Sequence, residues 1–87
     1  MKNAISVEQL RAARGLLGWS QTKLAQEAGL SLPTVKRVET GRGAAVSDDA
    51  RQLLQRALER AGVYFIEENG GGPGVRLRKS APSRRTK

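Results

Sequence analysis

The sequence predicts a mainly α-helical fold, four short helices followed by a C-terminal β-hairpin, and three observations predict it. Apolar residues recur at helical spacing in four consecutive stretches before Gly62. Serines stand where helices start, at Ser6, Ser20, near Ser31 and at Ser47, and glycines where they stop, at Gly18, Gly29, Gly41 and Gly62. Past Gly62 the apolar period shortens from that of a helix to that of a strand, in VYFIEE and GVRLR on either side of NGGGP.

Ser6 with Gln9 three residues on forms a capping-box pattern, and Leu10, Ala13 and Leu17 follow at helical spacing, which predicts a first helix over 7–17. Ser20 caps a second, QTKLAQEA, whose preceding Trp19 is spaced to pack on Leu24 as a hydrophobic staple. Gly29 supplies the left-handed residue that closes it. A third helix starts near Ser31 with Pro33 in its first turn, where a missing N–H costs little. Because proline disfavours helical torsions in the residue before it, Ser31 and Leu32 are both candidate caps.

Ser47, Asp48 and Asp49 place a cap and two carboxylates at the positive end of a fourth helix, with Leu53, Leu54, Ala57, Leu58 and Ala61 as one apolar stripe. The hairpin follows at 63–78, with the five residues NGGGP as its loop. Residues 79–87 read as a disordered basic tail, and 1–62 as the helical domain.

Composition excludes much. Among 87 residues there is no Cys and no His, so the usual zinc, haem and iron–sulfur ligands are missing, together with the commonest general base. No metal site, cofactor or catalytic residue is expected, and an enzyme reading has almost no support. No apolar run approaches the roughly 20 residues that span a bilayer. The net charge of +8 is uneven: residues 1–68 carry 10 basic and 8 acidic side chains, whereas 69–87 carry 6 basic and none acidic. Such a tail prefers polyanions, and without an amphipathic apolar face it suits nucleic acid better than a membrane surface. A cytoplasmic, nucleoid-associated protein is expected.

The most informative spacing is Gln21, Ala25, Gly29, Val35 and Val38, with Leu24 and Leu30 between them. Each residue type has a steric reason in a helix-turn-helix. Ala25 is small so that the second and third helices can cross closely. Gly29 makes the turn, and Val35 and Val38 face the core so that Leu32, Pro33, Lys36, Arg37 and Thr40 project outward. A helix presented in this way suits a major groove.

The stretch LRAARGLLGWSQTKLAQEAGLSLPTVKRVETGRG resembles the lambda repressor/Cro-like (XRE-type) helix-turn-helix family, with the likeness covering roughly residues 6–62. The resemblance implies a DNA-binding domain in which Gln21 holds a phosphate and braces the recognition helix. It gives further phosphate contacts to Ser31, Thr40 and Arg42, and base contacts to Leu32, Pro33, Lys36 and Arg37. It also pairs Arg14 with Glu39, which at a partly exposed site would contribute little. Two departures stand out. Leu32 and Pro33 have no side-chain donor or acceptor, so hydrogen-bonded readout falls to Lys36 and Arg37, with apolar contact to a thymine methyl left for the other pair. A hairpin also stands where family members commonly have a fifth helix.

Both faces of the first strand are apolar, Val63 and Phe65 on one side and Tyr64 and Ile66 on the other, and the fourth helix can cover only one of them. The hairpin, through Val63, Tyr64, Phe65, Ile66, Val75 and Leu77, is therefore expected to build a homodimer. The expected function is a dimeric transcriptional regulator, more readily a repressor than an activator, reading an inverted repeat in double-stranded DNA. The alternative is an antitoxin whose C-terminal region masks a toxin protein.

Overall fold

Three of the helices begin on a serine hydroxyl. In this computed structural model, which describes residues 5–41 and 48–78, Ser6, Ser20 and Ser31 each accept a hydrogen bond from the backbone N–H three residues on, the N3 position of α1 (Val7–Leu17), α2 (Gln21–Ala28) and α3 (Leu32–Thr40). Ser31 is thus the third cap, with Leu32 and Pro33 as the first helical residues. α4 (Asp48–Arg60) has Asp48 and Asp49 in its first turn, where the helix dipole favours negative charge. Ser47, Arg42 and the tail 79–87 lie outside the described residues. The strands β1 (Val63–Ile66) and β2 (Gly74–Leu77) pair antiparallel, Val63 opposite Leu77 and Ile66 opposite Gly74.

The helices enclose one core. Leu10, Leu24, Val35, Val38, Leu54 and Leu58 are all essentially solvent-free, drawn from every helix. Ala25 is buried between α2 and α3, and Gly29, at φ 72°, turns the chain from one to the other. Trp19 is half-buried against this core, with the Lys23 ammonium 5.6 Å from its ring centroid.

The structure departs from the sequence expectations in three places. The buried stripe of α4 is Ala50, Leu54, Ala57 and Leu58, while Leu53 is 40% exposed, because it lies a full residue's rotation, about 100°, from Leu54 and falls on the rim of the stripe. The hairpin loop runs over 67–73, seven residues in place of five, because β1 stops at Ile66 and leaves Glu67 and Glu68 in the turn. The cover for the hairpin is shared: β1 packs on α4, and β2 packs on α1.

Gln9 makes the second of these contacts. Its Oε1 accepts from the Ser6 N–H at 2.9 Å as the capping box requires, and its Nε2 donates to the carbonyls of Ile66 and Gly74, both at 3.0 Å. One buried amide thus closes the first turn of α1 and holds the loop end of the sheet.

Candidate nucleic-acid interface

A helix that enters a groove must be held from behind. Glu39, in the last turn of α3, is only 3% exposed, and a carboxylate so placed has to be paired. Arg14 of α1 meets it with two hydrogen bonds, Nε to Oε2 at 2.8 Å and a terminal nitrogen to Oε1 at 2.9 Å, in the two-pronged geometry that suits guanidinium and carboxylate. The partial exposure expected of this pair is found on one side only: Arg14 is 23% exposed and Glu39 3%, and the contact is bidentate. The hydrogen bond to Glu39 raises the Arg14 pKa above its ordinary value, partial burial opposes the rise, and Coulomb attraction from the same carboxylate adds to it.

Gln21, the first residue of α2, donates from Nε2 to Glu39 Oε1 at 3.0 Å. Arg14 also reaches the Trp19 carbonyl at 3.1 Å, just ahead of α2. A third contact was not foreseen. Arg11 donates to the backbone carbonyl of Glu39, satisfying an acceptor at the end of α3 that has no partner within the helix. The signal was present in the sequence, since Arg11 and Arg14 are three apart and share a face of α1. Through this one glutamate, α1 and the start of α2 set the position of α3.

The outward side of α3 is open. The Lys36 and Arg37 side chains are exposed and make no hydrogen bond or ion pair with any described residue; Pro33 is exposed, and Leu32 is half-buried. Val35 and Val38 fill the core on the opposite side. Thr40 is exposed, and its hydroxyl donates to the Arg37 carbonyl at 2.9 Å.

The first turn of α3 offers fewer backbone donors than an ordinary helix start. Pro33 has no N–H, that of Thr34 is bonded to Ser31 Oγ at 3.2 Å, and that of Val35 to the Ser31 carbonyl at 3.2 Å. The N–H groups of Ser31 and Leu32 remain. At the start of α2, Ser20 Oγ takes the Lys23 N–H at 3.0 Å, so Gln21 and Thr22 keep theirs beside the Gln21 side chain.

Of the hairpin residues, Val63 is 1% exposed and belongs to the core of the single chain, and Phe65 and Val75 pack half-buried against that core. Val63 is therefore withdrawn from any contact with a second chain, because β1 follows directly on α4 and lies against it. Tyr64 and Leu77 are about half exposed, at 50% and 48%.

Among the described residues, no helix is long and apolar enough to cross a membrane, and no cluster of side chains could hold a metal ion. No curated protein matches the chain. The family model HTH_3, Helix-turn-helix, matches residues 10–64, from within α1 through α2, the braced α3 and α4 to the start of β1. The chain belongs to the lambda repressor-like (XRE-type) helix-turn-helix family of DNA-binding transcription regulators.

Proposed function

We propose that the protein is a sequence-specific regulator that places α3 in the major groove of double-stranded DNA and represses transcription from the site it occupies. One observation carries this reading: two unpaired cations, Lys36 and Arg37, project from a helix held from behind by three side chains acting on Glu39. Arg37 and Lys36 supply hydrogen-bonded base readout, and Leu32 and Pro33 supply apolar contact. Gln21 spends one amide N–H on Glu39 and keeps the other for a phosphate beside the free N–H groups of Gln21 and Thr22. Ser31, Thr40 and Arg42 complete the phosphate contacts. With repression by occupancy, the protein acts on the DNA of the cytoplasm and needs no cofactor.

The test is selection of binding sites from a random duplex pool, repeated with variants. Arg37→Ala is expected to weaken the selected site by about 1–3 kcal/mol and to relax preference at one base pair, whereas Gln21→Ala weakens all sequences evenly. An Arg37→Ala chain with unaltered affinity and preference would refute the docking.

The same reading includes a dimer built through the hairpin. Arg78 N–H donates to the Gly62 carbonyl at 2.7 Å, so in the alternating ladder the pairs Tyr64 with Arg76 and Ile66 with Gly74 are bonded ones. The backbone groups of Val75 and Leu77 then point away from β1, and no described residue accepts or donates to them. Pairing of this edge with its copy satisfies them and presents two α3 helices to half-sites about 34 Å apart or a multiple of that. Leu77→Pro removes one outward N–H and leaves the internal ladder intact, so it should shift the chain to monomer in sedimentation with the helical circular dichroism unchanged. A Leu77→Pro chain that stays fully dimeric counts against the edge.

A further inference from the structure

The strand edge is one surface of the hairpin, and its outer face is another. Residues two apart in a strand share a face, so Arg76 and Arg78 rise together on the side away from the helices, about 6.6 Å apart along the chain. Arg78 still belongs to the ladder through its bond to Gly62. Tyr64 stands opposite Arg76 in the register, and the Arg76 guanidinium carbon lies 5.2 Å from the centroid of its ring. Tyr64, Arg76, Leu77 and Arg78 together line a shallow open depression.

No carboxylate answers these charges. The ion pairs among the described residues are Arg14 with Glu39 and Lys23 with Glu27, so neither Arg76 nor Arg78 has an anionic partner. Glu67 and Glu68 sit at the other end of the hairpin, and Glu68 accepts from the Gly70 N–H at 3.1 Å. From residue 69 onward the sequence has 6 basic residues and no acidic one.

We propose that this outer face is a second phosphate-binding surface, which takes the sugar–phosphate backbone of duplex DNA in addition to the contacts made from α2 and α3. A guanidinium presents a flat fork of N–H donors that matches phosphate oxygens, and stacking on the Tyr64 ring restricts the Arg76 side chain before the ligand arrives, which lowers the entropy lost on binding. A second copy of the chain is the poorer occupant, because face-to-face contact would set arginines against arginines without compensation. The proposal rests on the chain binding DNA through α3, and it adds a surface that carries affinity without sequence information.

The experiment measures the salt dependence of binding for the full chain, by fluorescence anisotropy on a duplex selected from a random pool and on a scrambled duplex. Arg76→Gln/Arg78→Gln is compared with the parent and with Arg56→Gln, an exposed arginine of α4 that serves as a charge control. Both arginines are exposed and bonded to no other described side chain except by the Tyr64 stacking, so the fold should survive. The double variant should flatten the slope of log K against log salt by about 0.9 for each phosphate it no longer neutralises, roughly 1.8 in all, on both duplexes and with the selected sequence unchanged. An unaltered slope overturns the proposal. So does an equal flattening by Arg56→Gln, which would reduce the effect to net charge. A flattening that appears only with loss of a dimer in sedimentation assigns the face to a second copy and overturns it as well. A parent chain that selects no sequence would refute the role of α3 instead, and that outcome is separate from the slope.

Discussion

Arg14→Ala is expected to cost the fold about 3 kcal/mol, which for a domain of this size lowers the midpoint of thermal unfolding by roughly 12–24 °C. The reason lies in which partner stays behind. Glu39 is 3% exposed and Arg14 23%, so removing the arginine strands a carboxylate in the interior with only the Gln21 amide beside it. The opposite truncation is milder. Glu39→Ala takes away the buried charge itself and leaves a guanidinium that can turn toward water, at a cost of about 1–2 kcal/mol. Arg14→Leu with Glu39→Leu removes both charges, and it should lie closer to the parent than Arg14→Ala does. Thermal unfolding followed by circular dichroism measures all three. Equal losses from the two single truncations would show that the burial asymmetry has no energetic weight. DNA affinity should fall in the same order on every sequence, since Glu39 holds α3 and reads no base.

The helices around this brace were legible in the sequence because their rules are local or sterically unambiguous. A serine three residues ahead of a free N–H, or a small residue where two helices cross, can be recognised without knowing the rest of the fold. Ser6, Ser20, Ala25, Gly29, Val35 and Val38 are all of this kind. Pairing Arg14 with Glu39 came from the family resemblance, and its strength did not, because burial of Glu39 depends on how α1, α2 and α3 meet. The hairpin shows the same limit. VYFIEE is a strand-like run throughout, and nothing within it marks Ile66 as its last paired residue. At that boundary sits a bond from Gln9, 57 residues from Ile66 and 65 from Gly74, whose role in the sequence was fully explained by the capping box. A side chain with two uses shows only the nearer one to a reading of spacings.

Gln9 is accordingly the second position where a single change should have a large effect. Gln9→Ala removes three side-chain hydrogen bonds, one to the Ser6 N–H and two to the hairpin carbonyls, at about 1 kcal/mol each. The loss should be confined in space. Amide exchange should quicken first in 63–78, as the sheet leaves α1, while the amides of α2 and α3 keep their protection. Gln9→Glu separates the two functions, because it keeps the acceptor for Ser6 and replaces a double donor with a carboxylate facing two carbonyl oxygens. Those oxygens and the burial of the site favour the protonated acid, so the folded-state pKa of the new group lies above its unfolded value of about 4.3. The linkage then has a definite sign. Below about pH 4.3 the group is protonated in both states and its O–H replaces one lost donor; as the pH rises toward the folded-state pKa, the unfolded chain ionises first and stability falls. The Gln9→Glu chain should therefore lose stability relative to the parent from about pH 4.3 upward, in thermal melts recorded across that range. A difference that does not vary with pH, or hairpin amides as protected as in the parent, would mean that the sheet is held on α1 by its apolar contacts and not by Gln9.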